Sequence, residues 1–217
     1  MKLFLDTANL KEIQEISEWG VLDGITTNPT LISKEGSVSL EKHVKAICKV
    51  VQGPVSVEVI STDLRGMLRE AHEYAKWAEN IVVKVPMTAA GLMAVQALSR
   101  VSIPTNVTLC FTANQALLAA KAGAAIISPF IGRLEDRGED GMQLVDEIVT
   151  IYEQYNFTTE VLVASVRNVR HVTDSALLGA DIATLPYAIF KELIEHDLTD
   201  AGIKKFIADW KKVKHKK

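Results

Sequence analysis

Short β-branched runs alternate with amphipathic helical stretches along the whole chain. The runs predict strands at Leu3–Asp6, Gly24–Asn28, Val55–Ile60, Ile81–Val85, Thr105–Cys110, Ala124–Ser128, Val161–Ser165 and Asp181–Leu185. Helical periodicity lies between them. Lys11–Trp19 aligns Ile13, Ile16 and Trp19, and Leu64–Trp77 aligns Leu64, Leu68, Ala71 and Ala75. Ala113–Ala122 is alanine-rich with Leu117 and Leu118 and can end at Gly123, while Gly141–Tyr155 aligns Leu144, Ile148 and Ile151. Eight strands alternating with helices in 217 residues predict an α/β fold, a (β/α)8 barrel. A doubly wound open sheet is the alternative, but it usually brings a glycine-rich phosphate turn, and the chain has no Gly-X-Gly-X-X-Gly. No linker, low-complexity segment or repeat interrupts the pattern, so 1–217 reads as one barrel domain. A last amphipathic helix, about 200–214, follows the eighth unit with Ile203, Phe206, Ile207 and Trp210 at helical spacing. That stripe can pack on its own barrel or reach a neighbouring subunit.

Strand side chains alternate between the two faces of a sheet. Val55, Val57 and Val59 suit the helix-facing side of the third strand, which turns Ser56 and Glu58 inward. The same alternation pairs Phe4 with Asp6, Thr26 with Asn28, Asn106 with Thr108, Lys84 with Val82, and Ser128 with Ile126. In the seventh strand it aligns Val161, Val163 and Ser165. Each set carries its polar member toward the C-terminal end of its strand, the end at which barrel active sites are built. A single Asn, Thr or Ser there is ordinarily a structural hydrogen-bond partner, and Asp6, Glu58 and Lys84 could pair merely to offset their burial. A cluster of this size at a barrel mouth points instead to a site.

Lys84 stands out within it. Ile81-Val82-Val83-Lys84-Val85-Pro86 reads as a fully buried strand, and lysine is rarely buried without a reason. Burial disfavours the ammonium form, and a neutral amine in a dry pocket suits Schiff-base chemistry on a carbonyl substrate. The plainer reading is a lysine at a strand end whose amine reaches water.

Composition narrows the classes. The formal net charge is −3 and 48% of residues are hydrophobic, with no basic-aromatic stripe of the kind that binds nucleic acid. The basic run Lys211-Lys212-Val213-Lys214-His215-Lys216-Lys217 closes a helix, where lysines complement the helix dipole. Met1 leads directly into a strand, no apolar run approaches a membrane span, and Cys48 and Cys110 form neither a disulfide framework nor a metal site. These features predict a cytoplasmic, reduced protein with no membrane partner, no bound metal and no nucleic-acid partner.

Two later segments add cations. Ser128-Pro129-Phe130-Ile131-Gly132-Arg133 follows the sixth strand, and Ala164-Ser165-Val166-Arg167-Asn168 follows the seventh. Arginine grips phosphate through parallel hydrogen bonds, and serine hydroxyls with loop N–H groups can complete a phosphate cradle near the last strands. A surface ion pair is the simpler role for each, above all for Arg133 with Glu135 and Asp136 close by.

The segments together resemble the small-subunit transaldolase family, which also contains fructose 6-phosphate aldolases. The resemblance runs from Phe4-Leu5-Asp6-Thr7-Ala8 through Gly24-Ile25-Thr26-Thr27-Asn28-Pro29-Thr30-Leu31, Val83-Lys84-Val85-Pro86 and Asn106-Val107-Thr108-Leu109 to the two arginine segments. It implies a (β/α)8 barrel and a cofactor-free enzyme of the pentose phosphate pathway acting on sugar phosphates. Lys84 matches the Schiff-base lysine, Asp6 the acid/base group, and Glu58 with Thr108 the pair that holds a catalytic water. Asn28 and Asn106 match residues that hydrogen-bond the substrate or the lysine. Arg133, Ser165 and Arg167 match the phosphate site, and Ser128 and Phe130 line the pocket. Glu58 and Phe130 are the transaldolase pair, where the aldolases carry Gln and Tyr. A tyrosine hydroxyl can assist release of dihydroxyacetone, whereas phenylalanine has no proton to give. The resemblance also implies ring-like homo-oligomers, pentamers or decamers, with the C-terminal helix against a neighbour. The rival functions are a fructose 6-phosphate aldolase and, more distantly, a non-catalytic sugar-phosphate-binding protein on the same fold.

Overall fold

The computed structural model describes residues 1–36 and 39–214; His215–Lys217, the end of the basic run, lie outside the described residues. Eight parallel strands close into a barrel in chain order: β1 (Lys2–Asp6), β2 (Gly24–Thr26), β3 (Val55–Glu58), β4 (Ile81–Pro86), β5 (Thr105–Cys110), β6 (Ile126–Pro129), β7 (Glu160–Val163) and β8 (Ile182–Leu185). The helices are α1 (Leu10–Glu18), α2 (Pro29–Lys34), α3 (Leu40–Val50), α4 (Leu64–Tyr74), α5 (Ala89–Ser99), α6 (Ala113–Ala122), α7 (Ile131–Glu135), α8 (Gly141–Tyr155), α9 (Val169–Leu177), α10 (Tyr187–Glu192) and α11 (Asp197–Lys214). All eight expected strands are present, and among the described residues they close into a barrel rather than an open sheet.

Three strands end earlier than their hydrophobic pattern predicts, among them β3, which stops at Glu58 rather than Ile60. β2 stops at Thr26 and β7 at Val163, so Asn28 and Ser165 belong to loops. The reason in β2 is helix capping. Asn28 Oδ1 accepts the Leu31 N–H at the start of α2, with Pro29 in the first helical turn. Asp63, Thr88, Thr112 and Asn168 cap α4, α5, α6 and α9 in the same way, each accepting the N–H three residues on. These short capped loops fix the strand ends at the mouth of the barrel.

The alternation divides the apolar residues into two layers. Leu5, Ile25, Val57, Val83, Val107 and Ile127 pack with the helices in the main core. Phe4, Val82, Ile126, Leu162, Ala164 and Ile182 form a separate layer inside the barrel. One expectation fails here. Val161 and Val163 belong to the outer core, and it is Leu162 and Ala164 that face inward, so the seventh strand does not carry Ser165 inward by alternation.

The final helix starts at Asp197, slightly earlier than expected, and runs for 18 residues. It does not bury its stripe on its own barrel: Phe206 is 73% and Trp210 60% exposed. Among the described residues no helix is long and apolar enough to cross a membrane.

Candidate active site

The register places the chemistry before any side chain is considered. Glu58 pairs with Lys84 across β3 and β4, and Lys84 pairs with Asn106 across β4 and β5. Lys84 is 4% exposed. Its Nζ lies 2.9 Å from Glu58 Oε2 and donates to the Thr27 carbonyl at 3.2 Å. Beside it runs a hydrogen-bonded chain: Ser128 Oγ donates to Asn106 Oδ1 at 2.6 Å, and Asn106 Nδ2 donates to Ser56 Oγ at 3.2 Å. Both ends of the Asn106 amide are therefore held by serines, and the chain ties β3, β5 and β6 together. Thr108 is buried, and its hydroxyl has no hydrogen-bond partner among the described residues. The next residue, Leu109, has φ +61, and the β5–β6 register shifts between Val107 and Cys110. Such bulges redirect side chains next to active sites.

Asp6 approaches from β1. Its Oδ1 accepts the Thr26 hydroxyl at 2.6 Å, and Thr26 Oγ1 lies 2.7 Å from Thr184 Oγ1. Burial pushes the Asp6 carboxyl above its ordinary range. The Thr26 hydrogen bond and the charge of Lys84 oppose that rise, Glu58 adds to it, and Lys34 opposes it again. A buried carboxyl beside a buried amine is suited to exchanging protons with a substrate.

The rim is built from loops and the short helix α7. Ser165 reaches the cavity through a left-handed backbone, φ +62, which re-aims it after the strand has ended. Arg133 stacks on the Phe130 ring, 5.0 Å from its centroid. The expected pairing of Arg133 with Glu135 or Asp136 is replaced by two others. Asp136 bonds Arg167 Nη2 at 2.8 Å, and Glu135 Oε1 lies 3.0 Å from His171 Nε2. The Arg167 backbone N–H donates to His171 Nδ1 at 3.2 Å. Gly132 makes the close approach possible, since a Cβ there would stand 2.2 Å from the Ser165 carbonyl and 2.5 Å from Arg167 Nε.

Two adjoining cavities, of about 210 and 420 Å³, share Asn28, Lys84, Phe130 and Arg133. Asp6, Ser128, Ser165 and Arg167 line the smaller, and Glu58 and Thr108 line the larger. Of the residues expected at the site, all but Asn106 line one of them; Asn106 is held by the two serines instead. A carbonyl compound in this space would meet an amine, two carboxylates and, at the rim, two guanidinium groups able to hold an anion.

Residues 3–217 match the family model described as Transaldolase/Fructose-6-phosphate aldolase. The chain belongs to this family. A relative from Aquifex aeolicus (strain VF5) named "Probable transaldolase" is 56% identical over 216 residues, covering 100% of this chain and 99% of its own. Another "Probable transaldolase", from Methanococcus vannielii, is 57% identical over 210 residues, covering 97% of each. A solved structure of a mandelate oxidase mutant shares the fold alone. It has a TM-score of 0.59 at 18% identity and covers 86% of this chain and 64% of that one.

Three further residues, Thr184, Gly132 and His171, stand at or beside this mouth, outside the set the sequence predicts. Thr184 follows Ile182 at the inward spacing of the last strand, so alternation alone could have found it. Gly132 on α7 and His171 on α9 follow no such pattern, because tertiary contacts bring them to Arg167.

Proposed function

We propose that this chain is a transaldolase, moving a dihydroxyacetone unit from a ketose phosphate to an aldose phosphate through a Schiff base on Lys84. The observation that carries the reading is Lys84 itself. It is a buried amine 2.9 Å from a Glu58 oxygen, in a cavity that also holds Asp6 and two arginines. In this reading Arg133, Arg167 and Ser165 hold the phosphate of fructose 6-phosphate or sedoheptulose 7-phosphate, with Asn28, Ser128 and Phe130 lining the pocket along the chain of the sugar. Lys84 Nζ attacks the C2 carbonyl. A water held by Glu58 and Thr108 carries protons to the C2 oxygen, which leaves as water to give the protonated imine. Asp6 takes the C4 hydroxyl proton, the C3–C4 bond breaks, and its electron pair passes through C3 and C2 to the imine nitrogen. The aldose phosphate departs, leaving an enamine on Lys84. C3 of that enamine then attacks the aldehyde carbon of erythrose 4-phosphate or glyceraldehyde 3-phosphate, and Asp6 returns its proton to the new alkoxide. Water releases the new ketose by the reverse of imine formation. The protonated imine is the electron sink throughout, and the exchange belongs to the pentose phosphate pathway.

The family also includes aldolases that release free dihydroxyacetone. Glu58 and Phe130 favour transfer, because the Phe130 ring offers no proton to an enamine waiting for its acceptor. The test is a coupled assay on fructose 6-phosphate with and without erythrose 4-phosphate. Glyceraldehyde 3-phosphate formed only with the acceptor is the expected result. Equal release without it, with dihydroxyacetone accumulating, would make the chain an aldolase, and tight binding without a trappable adduct would make it a non-catalytic binder.

The same reading takes α11 as the contact to a second copy of this chain in a ring-like homo-oligomer. Leu198, Ile203, Phe206, Ile207, Trp210 and Val213 stand exposed along it. Phe206→Glu with Trp210→Glu should lower the mass measured by light scattering to that of the monomer; an unchanged mass would exclude α11 as the contact.

A further inference from the structure

We propose that Thr184 is a positioning residue for Asp6. Its hydroxyl, acting through Thr26, keeps a hydrogen bond directed at the Asp6 carboxylate and reverses direction when that carboxyl takes up a proton. The inference rests on Asp6 being the acid/base group of cleavage.

Thr26 Oγ1 lies 2.6 Å from Asp6 Oδ1 and 2.7 Å from Thr184 Oγ1. A threonine hydroxyl has one proton to give. When Asp6 is ionised, Thr26 gives its proton to Oδ1 and must accept one from Thr184. When Asp6 carries a proton on Oδ1, Thr26 accepts that proton and turns its own toward Thr184. The two directions of this chain correspond to the two protonation states that a base-then-acid cycle visits.

The fold builds the chain by register. Asp6 pairs with Thr26 across β1 and β2, while Thr184 on β8 pairs with Phe4, the inward residue one step below Asp6. The hydroxyls of β2 and β8 therefore meet over β1. Both threonines are at least 97% buried, and Thr184 lines the same cavity as Asp6. The charged groups acting on Asp6 are Lys84 from β4, Glu58 from β3 and Lys34 from α2. Among the described residues none of these hydrogen-bonds Thr26 or Thr184, so the hydroxyl chain acts independently of them. A donor to the ionised form favours that form. Loss of the Thr184 hydroxyl leaves Thr26 with no donor of its own and weakens its hold on the carboxylate. Asp6 then titrates higher, and cleavage, which needs the carboxylate, retreats to higher pH.

The experiment is the pH profile of fructose 6-phosphate cleavage, measured on the full chain. In Thr184→Val the acid limb should move up by roughly half to one pH unit, with the borohydride-trapped adduct on Lys84 unchanged in amount. Thr184→Ala should move it equally, and Thr184→Ser should restore it. In a Thr26→Val background, Thr184→Val should add no shift, since it acts through Thr26. An unmoved limb in either folded, hydroxyl-free variant overturns the proposal, as does a further shift in the Thr26→Val background. Failure of both Val and Ala variants to fold while the Ser variant folds would also overturn it, because the hydroxyl would then serve folding. Asp6→Asn separates this proposal from the reading beneath it. An acid limb that survives Asp6→Asn removes Asp6 from the chemistry altogether. Lost cleavage in Asp6→Asn beside an unmoved limb in Thr184→Val removes only the relay.

Discussion

The floor of the cavity and its rim are built by different rules. Floor groups sit on strands and answer to one another across the ladder, as in Glu58–Lys84 and Ser56–Asn106–Ser128. Rim groups sit on loops and, for Arg133, on the short helix α7, placed by a stacked ring, a left-handed serine and an ion pair. The side chains of the Lys84–Glu58 pair are 5% and 16% exposed, whereas those of Arg167–Asp136 are 51% and 63% exposed. Charges of the floor act through a lower dielectric and feel each other strongly, while those of the rim are largely screened. The floor is thus suited to moving protons and forming bonds, and the rim to holding an anion that must also leave.

The division is most exposed at its largest expected effect. Lys84→Met should lower transfer by about four orders of magnitude or more, as removal of a nucleophile does, and should abolish the borohydride-trapped adduct. It also leaves Glu58 without its partner in the cavity, so a lower unfolding midpoint should accompany the loss. A variant that kept a trappable adduct would move the chemistry off the floor.

Asp6→Asn comes next. Cleavage should slow by about two to four orders of magnitude while the adduct still forms. Its effect on stability has the opposite sign. Burial raises the native pKa of Asp6 from its ordinary 3.8. A carboxyl raised in this way favours the folded state while protonated, and that stabilisation is lost as pH rises from 3.8 through the native value. Asn stays neutral throughout. The unfolding midpoint of Asp6→Asn should therefore rise above that of the unaltered chain, with the gap widening as pH increases through that window. A gap that narrowed instead would mean Asp6 is held as a stabilised carboxylate.

The same division explains what the amino-acid pattern disclosed. Asp6, Glu58, Lys84, Asn106, Thr108 and Ser128 lie on strands, where a two-residue period assigns each side chain a face, and all of them fall on the inner one. Asn28 kept that face because its cap leaves the backbone extended, with φ −154. Ser165 broke the rule, since one residue in the left-handed region cancels the count that strand alternation depends on. The pairing of the arginines was hidden for a related reason. Glu135 and Asp136 are neighbours of Arg133 in sequence, but the turn of α7 hands them to His171 on α9 and to Arg167 in the loop before it. Local pattern reads a strand; a loop contact is settled by tertiary packing.

On the rim, Arg167→Ala should raise KM for a phosphorylated donor by about 10- to 100-fold, the loss expected for charged hydrogen bonds. kcat should change little, and an unphosphorylated ketose should be affected hardly at all. A fall in kcat as large as that of Asp6→Asn would erase the distinction between holding and reacting.

The smallest effect belongs to Asp136→Asn. Its carboxylate lies 2.8 Å from Arg167 Nη2, but both side chains are more than half exposed, so the pair contributes little to stability. Its electrostatic influence on the site has a definite sign nonetheless. A carboxylate beside the guanidinium partly neutralises the charge that would attract phosphate. Asn keeps a hydrogen-bond acceptor at the same place and removes the competing charge. KM for the phosphorylated donor should therefore fall, by less than about fivefold, and the difference should shrink as salt screens the rim. Arg167 is also held through its backbone N–H by His171, so its loop does not depend on the lost ion pair. A rise in KM would mean that Asp136 orients the guanidinium more than it opposes the ligand, and that this part of the rim is as closely specified as the floor.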